Sequence, residues 1–464
     1  MKITRRNFIG GIAVTSLMDL VPQVSSAKNF ETQKNIIAGP GRSLLMDPGD
    51  KPTNLWLYNG SLPGPELRIN EGENLNIHFR NQLTVPTTIH WHGVKVPNAM
   101  DGVAGLTQPA VEPDETFSYK FKVSEPGTYW YHAHTMGWEQ VARGLYGALI
   151  VDGIKDFKVD HDITMMVDDW RLDKDGQIDE ASMGSLHDWA HRGRLGNWLT
   201  VNGKSQYKRS VKFNSRIRLR LINAANARIL KLELTGGVGL QVSLDGNPSN
   251  FASVSKFEIA PAQRIDLIVD VGTKPVLLHD LSSREKILAG IIEPRSELGQ
   301  GLVNRGILEP SGLKSIPHNL NNAIRLKVHM QGGAMGNLSQ ARFKGENHTI
   351  RHLARVEKKV WAFNGVVGTY EHELAEVARG KVVILEVFND TSWPHAMHLH
   401  GHDFWIRTSK RSNNHIDVKR DTYLMSPKEK AELIFLADNP GQWLLHCHML
   451  EHMASGMGAV ISVV

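Results

Sequence analysis

The run Glu73-Asn74-Leu75-Asn76-Ile77-His78-Phe79-Arg80-Asn81 alternates polar and apolar side chains, the period of a half-buried strand. The turn signal Asn59-Gly60 stands upstream of it. An Asn-Gly turn ahead of a strand-like run returns twice. Asn202-Gly203 precedes Ser215-Arg216-Ile217-Arg218-Leu219-Arg220-Leu221-Ile222-Asn223, and Asn364-Gly365 precedes Lys381-Val382-Val383-Ile384-Leu385-Glu386-Val387-Phe388-Asn389, each run closing on Asn. Three such units predict three copies of one domain. Further short alternating runs, such as Phe117–Val123 and Arg264–Val269, lie between Gly and Pro turns. They predict an all-β chain of Greek-key β-sandwich or barrel domains. The only helix-like stretches are short, Asp179–Ala190 among them. Clusters of Gly, Pro, Ser and Asn place the junctions near residue 155 and within 300–325, giving domains at 28–155, 156–310 and 311–464.

The composition fits that reading. The chain has 464 residues, 41% hydrophobic and 22% charged, enough for several cores and unlike a disordered, collagenous or multi-spanning chain. Lys and Arg (53) are interspersed with Asp and Glu (48) and form no long basic run, which argues against nucleic acid as a partner.

At the N-terminus, Thr4-Arg5-Arg6-Asn7-Phe8-Ile9 opens a weakly apolar segment reaching Val21, and Ser25-Ser26-Ala27 offers a cleavage site. This is the pattern of a twin-arginine signal over residues 1–27, with the export machinery as partner and the bacterial periplasm as destination. The segment is too short for a membrane span, and Asp19 interrupts it. Without Lys2, Arg5, Arg6 and Asp19 the net charge falls from +5 to +3.

Chemistry concentrates in histidine. The pairs His90-Trp91-His92, His132-Ala133-His134, His398-Leu399-His400-Gly401-His402 and His446-Cys447-His448 far exceed what random placement of 22 His gives. Residues i and i+2 of a strand share a face, so each pair can aim two imidazoles at one metal or at neighbouring metals. The first and third domains offer matching sets: Gly127 and Gly441 stand five residues before His132 and His446, and His90-Trp91-His92-Gly93 is echoed by His398-Leu399-His400-Gly401. Eight imidazoles from two domains could hold a metal cluster, whereas lone residues such as His78, His161 and His279 read as ordinary surface or core histidines. Zinc also accepts imidazole, but a zinc hydrolase leaves Cys447 unexplained.

Cys447, the single cysteine, lies between His446 and His448 and so points to the opposite strand face. There it can meet His395 and His452, with Met457 beyond. Two imidazoles, a thiolate and a weak axial thioether are the ligands of a blue-copper electron-transfer site. The covalent link His446-Cys447-His448 gives an electron a short route between that site and the cluster.

These motifs, in this order over residues 50–464, resemble the multicopper oxidases: laccases, bilirubin oxidases and bacterial copper-tolerance oxidases. The resemblance implies three cupredoxin-like domains and about four copper ions. It places His395, Cys447, His452 and Met457 at type 1 copper, His90 and His398 at type 2, and His92, His132, His134, His400, His446 and His448 at the type 3 pair. It further implies one-electron oxidation of phenols, aromatic amines or metal ions such as Cu(I), coupled to four-electron reduction of dioxygen to water. Asp101 and Glu451 resemble the family's acidic groups on the proton path. Asn389-Asp390-Thr391 before His395 is similar to the copper-tolerance oxidases, whereas Trp393 and the lack of a long methionine-rich insert point toward a laccase-like activity. Two alternatives are a non-catalytic copper-binding or structural protein of the same fold, which the complete ligand set disfavours, and a copper nitrite reductase, which would have two domains.

Overall fold

The Asn-Gly turns and the runs that follow them form one construction three times. A computed structural model of the chain describes residues 33–464 apart from 48, 154–156, 302–307, 309–319, 369 and 409–418. The expected export signal, the expected junction near residue 155 and most of the stretch 300–325 expected to hold the other lie outside the described residues. The three runs are the strands Asn74–Asn81, Arg216–Asn223 and Val382–Asn389. Each lies between a parallel partner (Lys34–Ser43, His161–Trp170 or Ile324–Gly332) and an antiparallel one (Thr116–Lys122, Arg264–Asp270 or Lys430–Leu436).

Asn59, Asn202 and Asn364 adopt left-handed φ of 52°, 49° and 51°, and the glycines after them 67°, 70° and 74°. Asn tolerates that region better than most residues. Each side chain then bonds the edge of the first strand through both of its ends. Oδ1 accepts from the amides of Ile37, Met166 and His329 at 2.7, 2.8 and 2.8 Å. Nδ2 donates to the carbonyls of Asn35, Thr164 and Lys327 at 2.9, 2.8 and 2.8 Å. The closing asparagines repeat as well: Oδ1 of Asn81, Asn223 and Asn389 accepts from the amide two residues on, at Leu83, Ala225 and Thr391.

The sheets sort into three consecutive sets. Residues 34–152 form two four-stranded sheets; residues 161–300 and 324–463 each form a six-stranded and a five-stranded sheet, the last set with an added two-stranded ribbon. Each set closes over its own core, marked by Phe79 and Trp91, by Leu219 and Leu267, and by Phe435 and Trp443. Full burial of such a side chain contributes about 1.5–3 kcal/mol. A further apolar cluster joins Leu57, Trp130, Ile222 and Leu450, bringing all three sets together. The chain is all-β, built of cupredoxin-like sandwich domains.

Two local expectations change. The stretch Asp179–Ala190 is two separate turns, Glu180–Ser182 and Leu186–Ala190, because Gly184 between them takes φ 70°. The polar face of Arg216–Asn223 does not meet solvent. Arg218 and Arg220 are buried, paired with Asp266 and Asp162, and Arg220 also donates to Thr128 of the first set. Among the described residues no helix is long and apolar enough to cross a membrane.

Candidate metal centre

The histidine pairs sit at matching positions of two sheets. Ile89–His92 runs antiparallel to Gly127–Ala133 with His90 opposite His132. In the third set His395–Leu399 runs antiparallel to Gly441–Cys447, with His398 opposite His446 and Met397 opposite Cys447. The two sets meet reciprocally: His90 stacks on His400 with ring centroids 4.0 Å apart, and His92 on His398 at 3.8 Å. All eight imidazoles, His90, His92, His132, His134, His398, His400, His446 and His448, are buried and contiguous.

Six of the rings are bonded through one outer nitrogen, whereas His134 is bonded at neither nitrogen and His448 has no partner at Nδ1. The Nδ1–H groups of His90 and His398 donate to the carbonyls of Asp101 and Asp421 at 2.7 and 2.8 Å. Those of His132 and His446 donate to the carbonyls of Ala133 and Cys447 at 3.0 and 2.9 Å. That of His400 donates to Asp101 Oδ2 at 2.8 Å. A neutral imidazole that donates through one nitrogen presents a lone pair at the other. The Nε2 atoms of His90 and His398, Nδ1 of His92 and both nitrogens of His134 are buried with no hydrogen-bond partner. His400 and His446 face each other Nε2 to Nε2 at 3.1 Å, and His132 and His448 at 3.3 Å. His400 and His446 both donate through Nδ1, so their Nε2 lone pairs face and repel unless something bridges them, and buried unpaired acceptors each cost about 1–3 kcal/mol. Cations between these nitrogens would remove both penalties, so the donor set fits copper. Burial lowers the pKa of His92, His132, His134, His398, His400 and His448, and that of His446 to about 4, keeping the rings neutral and available as ligands.

The second group forms on the opposite strand face. Cys447 Sγ lies 3.6 Å from Nδ1 of both His395 and His452, which stand 2.9 Å apart. Here too the outer nitrogens are engaged: His452 Nε2 donates to the His191 carbonyl at 2.9 Å, and His395 Nε2 meets Thr391 Oγ1 at 2.9 Å. The Thr391 hydroxyl in turn donates to Asn389 Oδ1 at 2.7 Å, so its oxygen accepts, from the Trp393 amide at 3.1 Å and from His395 Nε2–H. Trp361 covers both rings at 4.9 and 4.6 Å. His452 comes from the single-turn helix Leu450–Ala454, and Met457 follows, fully buried, its carbonyl accepting from the Cys447 amide at 3.1 Å. Burial pushes the Cys447 thiol up to about 12 and His452 down to about 3. A thiolate would need a cation beside it here.

The two carboxylates expected on a proton path have different surroundings. Asp101 is fully buried; its Oδ2 accepts from His400, and its Oδ1 lies 3.3 Å from His90 Nδ1. Glu451 is also buried, but its Oε1 accepts from Asn226 Nδ2 at 2.9 Å, and among the described residues no hydrogen bond joins it to the eight imidazoles. Burial raises Glu451 to about 7. A cavity of about 230 Å³, lined by His132, His134, Trp138, Tyr370, Leu450 and Met453, reaches the cluster from outside.

Residues that spacing did not single out complete the site: Asp421, with His92 Nε2 at 3.1 Å from its Oδ1, the Thr391 hydroxyl, and the His191 carbonyl. Asp421 follows the last cluster histidine of its motif at no distinctive spacing, and a carbonyl has no sequence signature.

Residues 44–156, 161–276 and 342–464 each match a multicopper oxidase family model. Multicopper oxidase MmcO of Mycobacterium tuberculosis is 26% identical over 97% of this chain and 90% of its own. Copper resistance protein A of Escherichia coli is 26% identical over 98% of both chains. The crystal structure of Lac15 from a marine microbial metagenome is 32% identical and covers 92% of this chain and 99% of its own, with a TM-score of 0.73. The chain belongs to the multicopper oxidase family. It is a copper-binding oxidoreductase that uses dioxygen as acceptor.

Proposed function

We propose that the chain is an exported bacterial oxidase holding about four copper ions in three cupredoxin-like domains, 28–155, 156–310 and 311–464. His395, Cys447, His452 and Met457 hold the type 1 ion. His90 and His398 hold type 2, and His92, His132, His134, His400, His446 and His448 hold the type 3 pair. Bound copper supplies one-electron oxidation of a donor at the first position and four-electron reduction of dioxygen to water at the other three.

The chain supplies position and protons. Cys447 belongs to one donor set while its neighbours His446 and His448 belong to the other, so three consecutive residues span the two. Asp101 Oδ1 has no hydrogen-bond partner and lies against the imidazoles, where a proton can be held and passed on. Glu451, raised to about 7, is a second proton holder, on the side of His452. The cavity at His134 admits dioxygen. The donor is a phenol or aromatic amine, or else Cu(I) or another metal ion, entering near His452, whose outer nitrogen is joined to the His191 carbonyl. The twin-arginine segment over residues 1–27 directs the chain through the export machinery to the periplasm.

The observation that carries this reading is the set of inward nitrogens with no partner in a buried, eight-imidazole cluster. Oxygen uptake by copper-loaded protein tests it, with a phenol and with Cu(I) as donors. Consumption of one dioxygen per four electrons, without accumulating peroxide, is expected; copper uptake with no oxygen consumption would leave a binding protein.

A further inference from the structure

Asp101 and Asp421 make the same pair of bonds from opposite sides of the cluster. The Asp101 carbonyl receives His90 Nδ1–H and its carboxylate receives His400 Nδ1–H. The Asp421 carbonyl receives His398 Nδ1–H at 2.8 Å, and its Oδ1 receives His92 Nε2–H at 3.1 Å. Each aspartate thus fixes one ring of its own sheet set and one of the other. Asp421 differs in being held by a cation. Arg264, fully buried, donates Nη1 to Oδ1 at 2.8 Å and Nη2 to Oδ2 at 2.5 Å. Arg264 belongs to the middle set of sheets, which brings no histidine to the cluster. Around it the middle and third sets are bonded twice more, Gln263 Nε2 to the Thr422 carbonyl at 2.9 Å and Arg420 to Asp245 at 2.8 Å. Gly93 leaves room for the pair: a Cβ there would lie 2.4 Å from both Arg264 Nη2 and Asp421 Oδ2.

We propose that Asp421, clamped by Arg264, is a positioning residue for the copper cluster. It turns His92 so that Nε2–H points outward and Nδ1 faces the cluster, and through it the ligand-free middle domain sets the cluster's geometry. This rests on the oxidase reading above. An outer partner that orients a ligating imidazole typically changes metal affinity by about 10–100-fold when lost.

The test compares copper-loaded wild type, Asp421→Asn, Asp421→Glu and the double variant Asp421→Asn/Arg264→Gln, which leaves no unpaired buried cation. The readouts are copper bound per chain against a competing chelator, the visible and near-ultraviolet spectra, and the electron paramagnetic resonance spectrum. In Asp421→Asn and the double variant the blue type 1 band stays, reporting an intact fold, while cluster copper binds about 10–100-fold more weakly and its spectra change. Asp421→Glu recovers part of the loss. Wild-type cluster affinity and spectra in both Asn-containing variants would overturn the positioning role and leave the oxidase reading standing. Loss of the blue band in parallel with cluster copper would overturn it in favour of a general structural role. A wild-type chain that takes up no copper at the eight imidazoles would overturn the oxidase reading itself.

Discussion

His400 and His446 meet Nε2 to Nε2 at 3.1 Å, while their Nδ1 atoms are committed to the Asp101 carboxylate and the Cys447 carbonyl. Both facing nitrogens are therefore acceptors in a buried space, an arrangement that a bound cation stabilises and its removal leaves repulsive. Copper loading should raise the melting temperature. At free copper 100-fold above a site's Kd the gain is about 2.7 kcal/mol for that site. Scanning calorimetry of copper-free and reloaded protein checks this; identical melting curves at saturating copper would contradict it.

Cys447→Ser keeps a small side chain in a fully buried position but removes the thiolate. The variant is expected to fold, retain cluster copper, and lose both the blue band and turnover. Far-ultraviolet circular dichroism, copper analysis and oxygen uptake read the three outcomes. Retained oxidase activity would contradict electron entry at this residue.

Thr391→Val removes the acceptor of the His395 Nε2–H at nearly unchanged volume. His395 is then no longer held with Nδ1 toward Cys447, and type 1 copper should bind about 10–100-fold more weakly while the cluster is unaffected. Chelator competition followed through the blue band measures it.

Asn364→Ala should lower stability by about 1–3 kcal/mol, since it deletes two hydrogen bonds and puts a Cβ residue without Asn's local bonding at φ 51°. Asn364→Gly should cost less, because only the bonds are lost. Denaturant midpoints give the difference, and turnover per folded molecule should not change.

Asp168 is buried beside Asp169, and burial, reinforced by that neighbour, raises its pKa well above the ordinary carboxylate value. A carboxyl whose pKa is raised on folding contributes stability that is complete below the unfolded value, about 3.9, and is lost as pH climbs toward the folded one. Asp168→Asn should therefore gain stability relative to wild type as pH increases from about 4. Denaturation at a series of pH values tests the sign; a difference that stays flat or shrinks as pH rises would contradict it.

What the sequence made legible was whatever had a period. The repeat of an Asn-Gly turn followed by a run closing on Asn located the strands Asn74–Asn81, Arg216–Asn223 and Val382–Asn389 to within one residue, and in the first two alternation assigned the faces, because a side chain's face in a strand is fixed by parity. Parity likewise separated Cys447 from His446 and His448. Parity does not say what covers a polar face: Arg218 and Arg220 looked solvent-facing and are buried against Asp266 and Asp162. Nor does it reach contacts between residues far apart in the chain. The Arg264–Asp421 pair and the bond from His452 to the His191 carbonyl exist only once three sets of sheets are packed together. The partner of Glu451 is equally invisible in the sequence: its carboxylate accepts from Asn226, 225 residues away.

The central claim is that two donor sets, one thiolate-centred and one of eight imidazoles, hold copper in a single chain. Copper analysis together with the visible spectrum of the reconstituted protein tests it most directly. The account predicts about four copper ions per chain and a blue band that bleaches on reduction and returns in air. One copper or none, with no blue band, would contradict it.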